Sequence, residues 1–170
     1  MLSQSFREYG VITPAPSWAE QWPDVWLDAV RETMKEALGL SGLKPADIAG
    51  VAISGLYGGS GIPVDKDIKP IRPCMIWMDR RARKQTQWVK DNIPLEKIFG
   101  ITGNYVDSYY GFTKIMWMRD NEPDLWKNVR QFVTPKDYVI YKLTDVLATD
   151  YSSAGNIGGV FDIRKKRWSP

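Results

Sequence analysis

A chain of 170 residues, 44% apolar and 25% charged, has the mix of a packed globular unit and the length of one domain or one lobe of a larger protein. Its 23 basic and 20 acidic residues leave a net charge of +3 with no basic stripe, so no nucleic-acid partner is expected. The absence of any histidine excludes imidazole acid–base chemistry, a Ser-His-Asp triad and histidine-ligated metal.

Residues 5–13 read as a short strand with nothing before it to pair with, and residues 14–23 as a connection bearing Pro and Trp. From Pro23 to Leu38, the residues Trp26, Val30, Met34 and Ala37 share one helical face, with Pro23 suited to the first turn and Gly39 to the stop. Residues 48–54 form a continuous apolar run typical of a buried strand. Gly55, Gly58, Gly59 and Gly61 follow at once, without the Lys-Ser/Thr ending of a P-loop or the spacing of a dinucleotide fingerprint. A tight turn that permits close backbone approach reads better than a phosphate cradle.

Residues 71–77 are a second strand candidate, and they contain the single cysteine, Cys74, which can form no internal disulfide. Asp79 fits an N-cap or first-turn position for a helix running to about Asn92. Residues 100–107 read as a loop, 113–120 as a helix, with a further helix after Pro123, a short strand at 132–134 and a helix over 135–143. From Thr149 onward, glycines interrupt short β-like pieces, and the run 164–167 reads as a solvated basic turn. This order indicates α/β architecture. No stretch approaches the length of a membrane span and no signal-peptide pattern opens the chain, so a cytoplasmic protein with no membrane partner is expected. The eight tryptophans suit a dense core or a carbohydrate platform.

Four segments, taken together, resemble the FGGY family of carbohydrate kinases, the group that includes glycerol, xylulose and ribulose kinases. Trp18-Ala19-Glu20-Gln21 followed by Pro23 and Trp26 is similar to the family's W-x-E-Q…P-x-x-W lead into its first helix. Arg72-Pro73-Cys74-Met75-Ile76-Trp77-Met78-Asp79-Arg80-Arg81-Ala82 resembles R-P-x-I-x-W-x-D-x-R-A. The stretch from Tyr109 through Lys114 to Trp117 resembles the signature Y-x-[PST]-x-x-K-[apolar]-x-W, with Gly111 where Pro, Ser or Thr is usual. Pro135-Lys136-Asp137-Tyr138, then Thr149-Asp150-Tyr151-Ser152-Ser153-Ala154, then Asp162 and Trp168, match P-K-D-Y…T-D-x-S-x-A…D…W, with Asp145 where Gly usually follows Thr144.

The resemblance implies a ribonuclease H-like (actin-like ATPase) N-terminal lobe, an α/β unit of mixed sheet with flanking helices, truncated at its first strands. Residues 1–170 would then be a partial N-terminal domain. It would start beyond the family's D-x-G-T strand and end before the second lobe, which carries the adenine site and the general base. No catalytic residue is therefore named. ATP and Mg²⁺ are implied for the complete enzyme and not expected to bind this chain tightly. The implied partners are a small sugar or polyol and the missing C-terminal lobe, and the opened strand edges would also permit a homodimer.

By the same resemblance Trp77 is a stacking platform for the sugar, or else packs at a strand end, and Tyr109 is a hydroxyl partner unless Tyr110 is the one that faces the pocket. Tyr57 and Gly58 would approach the substrate through the glycine loop, or form a plain turn. Asp79 and Arg81 would orient the sugar, or act as a cap and surface ion pair. Lys114 and Trp117 read as structural, and Trp18, Trp26, Trp88 and Trp126 as packing. Members acting on xylulose carry G-Q-M-H-G where this chain has Gly55-Leu56-Tyr57-Gly58-Gly59, so a contact through Met-His is not expected. The two functions left standing are the sugar-recognition lobe of a kinase and a non-catalytic sugar-binding or interaction fragment.

Overall fold

In the computed structural model, residues 1–55, 59 and 61–170 are described. Pro23 opens the longest helix, α1 (Pro23–Ser41), with its fixed φ already helical. The helix runs through Gly39, the expected stop, and ends where Gly42 takes φ 74°, a left-handed conformation that costs glycine nothing. Its buried face carries Trp26 and Leu27 and packs on α6 (Pro135–Thr144), with Tyr138 Oη donating to Asp24 at 3.2 Å.

Sheet among the described residues consists of three antiparallel pairs. The first joins β1 (Glu20–Gln21) to β3 (Cys74–Met75), and the second joins β2 (Ile62–Val64) to β4 (Gln131–Val133). A lone bridge from Gly61 to Met75 ties β2 to β3, so the two pairs share one core of Ala19, Trp26, Ile62, Val64, Cys74, Ile76, Val133 and Tyr138. A second core of Val89, Ile98, Val106 and Phe112 lies among α2 (Arg83–Asn92), α3 (Leu95–Thr102) and α4 (Gly111–Asn121). The single turn α5 (Pro123–Trp126) leads into β4. The last pair, β5 (Phe161–Asp162) with β6 (Arg167–Trp168), follows α7 (Tyr151–Asn156).

Several expected elements take other forms. Residues 48–54 belong to no strand among the described residues, and Ile48 and Val51 are exposed. No strand among the described residues lies beside them, and a strand is defined by its ladder partner as much as by its apolar run. Residues 5–13 likewise form no strand, and among the described residues only Ile12 of this segment bridges, to Glu20. Side chains hold this segment along α1 instead: Ser3 Oγ donates to the Ala37 carbonyl at 2.7 Å, and Arg7 pairs with Glu32 and Glu36. The 100–107 loop begins only at Gly103, because α3 runs to Thr102. In place of a β-like piece after Thr149, Asp150 caps α7 by accepting from the Ser153 amide at 2.9 Å.

Candidate functional site

The Gly61–Met75 bridge sets the local register. Followed two residues outward, it places Gly59 opposite Trp77 at the end of β3. Among the described residues no backbone pairing is found there, and the backbone of Gly59 lies close against both Trp77 and Tyr109. A methyl group at Gly59 would stand 3.0 Å from Tyr109 Cζ and 3.3 Å from Trp77 Cβ. Gly59 is buried, whereas the Trp77 side chain is 43% exposed. A side chain at this position would have to push the Tyr109 ring aside by a few tenths of an ångström.

Tyr109 sits in the turn before α4. Its amide donates to Asp107 Oδ1 at 2.7 Å, and the same oxygen accepts from Arg80 Nη1 at 3.2 Å. The Arg80 guanidinium lies 5.8 Å from the Tyr109 ring centroid. Tyr110 meets Tyr109 edge-on at 5.3 Å but packs against Gly158, where a methyl group would come within 2.9 Å of its ring. Of the two neighbours, Tyr109 is the one beside Trp77.

Beneath this surface is a buried lysine. Lys114 is 3% exposed, and its Nζ donates to the carbonyls of Gly59 and, at 2.8 Å, Ile76. Burial pulls its pKa down to about 8, partly opposed by Cys74 and Asp79. Burial also pushes the Cys74 thiol up to about 12, as befits an inert core cysteine.

Asp79 and Arg81 are paired, but inside the protein rather than on its surface. Asp79 is fully buried. Its Oδ2 accepts from the Ala19 amide at 2.7 Å and from Arg81 Nη2 at 2.7 Å, while Oδ1 accepts from the Arg81 amide at 3.0 Å. α2 starts only at Arg83, so Asp79 is not its cap; it fastens the turn after β3 to the segment before β1. Arg81 also pairs with Glu20 at 2.6 Å, and Glu20 in turn receives Arg72, which reaches Glu122 at 2.8 Å. The Arg81 guanidinium lies 3.7 Å from the Trp18 ring centroid and 5.0 Å from that of Trp117. Among the described residues Arg81 Nη1 has no hydrogen-bond acceptor, and these π faces surround it instead. Neither Asp79 nor Arg81 opens to solvent, so neither is in a position to touch a sugar directly.

Trp77, Tyr109 and Gly59 thus converge, while Asp79 and Arg81 lie behind them. Tyr57 and Gly58 fall outside the described residues. Trp18 and Trp26 pack as expected, but Trp88 is exposed on α2. What sequence reasoning missed is the tie made by Lys114. The available signal was a lysine flanked by Phe112, Thr113 and Met118 on a buried helical face, where an apolar residue would be cheaper. Among the described residues no three of His, Cys, Asp or Glu converge at ligating distance.

This α/β lobe, with an exposed indole beside a glycine loop, has the architecture of the actin-like, ribonuclease H-like kinases. Over residues 1–170 the chain matches the N-terminal domain of the FGGY family of carbohydrate kinases, and it belongs to that family. It is 32% identical over 162 residues to the xylulose kinase of Staphylococcus xylosus, covering 95% of this chain and 32% of that protein. It is 29% identical over 170 residues to the xylulose kinase of Bacillus subtilis, of which it covers 33%. The chain therefore spans about a third of the length of these curated relatives. A crystal structure of a xyloylose kinase from Brucella ovis superposes with a TM-score of 0.87 at 28% identity, over 95% of this chain and 33% of that one. The glycerol kinase of Plasmodium falciparum, with ADP, shares the fold at a TM-score of 0.80 and 20% identity, over 96% of this chain and 34% of that one.

Proposed function

We propose that residues 1–170 form the sugar-recognition part of the N-terminal lobe of an ATP-dependent carbohydrate kinase. Its substrate is a ketose or polyol, and xylulose is the first to test because several relatives are xylulose kinases. The observation that carries this reading is the exposed Trp77 indole beside Gly59 and Tyr109. A sugar presents C–H groups on its faces and hydroxyls on its edge. It therefore wants an aromatic plane with a few fixed polar groups alongside. Trp77 supplies the plane and Tyr109 a phenol, and Gly59 lets the two stand close together.

In this reading the lobe contributes positioning. ATP, Mg²⁺ and the general base that takes the proton of the attacking hydroxyl belong to the complete enzyme, where charge neutralisation and alignment drive the transfer. The lobe alone then has no sugar-dependent ADP release, and coupled turnover by the 170-residue chain would refute a purely positioning role.

With one face of the site supplied, affinity is expected to be weak, on the order of millimolar. Ligand-observed NMR against a panel of ketoses and polyols tests this directly. Trp77→Ala should abolish binding. Trp126→Ala, whose ring lies against Phe132 at 6.0 Å, should preserve it. A folded Trp77→Ala variant that binds as well as the parent would move the site elsewhere.

A further inference from the structure

We infer that Lys114 is a positioning residue for the proposed sugar site: its ammonium ties the glycine loop to the end of β3 and so sets how the Trp77 indole sits against Gly59. The word sugar here rests on the functional reading above; the tie itself does not.

Burying an ammonium is expensive unless every lost water contact is replaced, and α4 fills the neighbouring inward positions with Phe112, Thr113 and Met118. A methionine at position 114 would bury a similar stem with no charge to desolvate. What the charge does is visible in its partners. Among the described residues no backbone pairing continues past the Gly61–Met75 bridge, and the carbonyls of Gly59 and Ile76 both accept from Lys114 Nζ. Two acceptors cannot bond each other, and their oxygens repel. A cation that donates to both closes the gap that the ladder leaves open, with charge-assisted bonds stronger than ordinary ones. Ile76 directly precedes Trp77, Gly59 touches Trp77 and Tyr109, and the ammonium itself lies 6.0 Å from the Tyr109 ring centroid. All three proposed contacts are thus fixed relative to one atom, Lys114 Nζ.

The tie should also answer to pH. The charged and titratable groups facing Lys114 are Cys74 of β3, Asp79, Arg80 and Arg81 after it, and Tyr109 before α4. Cys74 titrates far above neutrality, so the group expected to change near pH 8 is the lysine. A neutral amine keeps two donors but loses the charge assistance, so the tie loosens rather than opens.

The test uses the 170-residue chain labelled with fluorotryptophan, with the Trp77 resonance assigned by Trp77→Phe, together with Lys114→Met and Lys114→Arg. Expected are a shifted Trp77 fluorine resonance in folded Lys114→Met, xylulose affinity reduced about tenfold or more, and partial recovery in Lys114→Arg, which keeps the charge. In the parent, the same resonance should move with a midpoint near pH 8, and in Lys114→Arg it should not. A folded Lys114→Met variant with an unmoved Trp77 resonance overturns the inference whatever happens to sugar binding. If that variant does not fold, a parent resonance that stays flat across pH 8 overturns it, and a titrating one supports it. A parent that shows the Lys114-dependent resonance yet binds no sugar from the panel refutes the recognition reading and leaves the tie standing.

Discussion

At the scale of single residues, the decisive feature is charge placed where water is absent. Glu20, Arg72, Asp79, Arg81 and Lys114 are all buried, and each faces an opposite charge, a carbonyl or an indole. Such networks are weak evidence for stability, but removing one member strands the others. Asp79→Ala removes the carboxylate that holds Arg81 and caps the Ala19 amide, and should cost about 3–5 kcal/mol. Asp79→Asn keeps an acceptor and the shape, and should cost less. Urea denaturation midpoints of the two variants check this, and a loss under about 1 kcal/mol for the alanine would show that the pair is held by other contacts. Lys114 gives a second handle. Its folded pKa lies below the usual value of 10.5, so the burial penalty is present in full below about pH 8 and is relieved as pH rises toward 10.5. Relative to Lys114→Met, the parent should therefore gain stability across that window in melts run from neutral to alkaline pH, while its Trp77 site becomes less rigid. A parallel pH dependence in the two proteins would contradict the assignment.

At the scale of elements, close approach does the work that ladder length does elsewhere, since among the described residues no strand exceeds three residues. Gly59 makes room for Tyr109 and Trp77, and Gly158 and Gly159, both at positive φ, let the segment before β5 lie on Tyr110 and Phe112. The two kinds of glycine should respond differently to alanine. At Gly159 a methyl group meets the Phe112 ring at 2.7 Å and the backbone is left-handed, so Gly159→Ala should lower the melting temperature. At Gly59 the obstacle is the Tyr109 ring at the edge of the fold. Gly59→Ala should displace Tyr109 and cut sugar affinity while leaving the melting temperature close to that of the parent. A Gly59→Ala protein with parental affinity would remove the loop from the site. The segment between α6 and α7 is pinned by another device: Lys136 pairs with both Asp137 and Asp150, at 2.7 Å for the latter, and Asp150 caps α7. The Lys136 bond holds the Asp150 carboxyl well below the usual range, so this link persists until strongly acid pH.

At the scale of the whole molecule, the apolar surface is unevenly covered. Residues 2–9 and 48–55 make no backbone ladder among the described residues, and several of them line grooves floored by α1, one of them about 610 Å³. Leu2, Met34, Leu43, Ile48 and Val51 are exposed there. Unpaired segments beside apolar surface favour pairing between copies. Concentration-dependent association is therefore expected by light scattering, and Ile48→Lys with Val51→Lys should reduce it. A parent that stays monomeric at high concentration with a sharp thermal transition would count against this view of the surface. Among the described residues no helix is long and apolar enough to cross a membrane.

The elements that the sequence determined by itself are those set by local chemistry. Pro23, Pro123 and Pro135 each open a helix at the expected place because proline fixes φ and needs no partner, and the family signature stood in the residue order alone. What only the tertiary structure decided depends on which segments come to lie together. The apolar run at 48–54 has strand composition, yet it forms no strand, because among the described residues nothing pairs with it. Asp79 and Arg81 looked like a surface pair at a helix start and are a buried brace, because Glu20, Trp18 and Trp117 arrive from 36 to 63 positions away to enclose Arg81. Lys114 looked structural, and no spacing rule could have shown that its two acceptors are the carbonyls of Gly59 and Ile76. Hydrogen-bond partners across long loops are chosen by the fold, because the energy of a buried charge depends on what surrounds it and not on its neighbours in sequence.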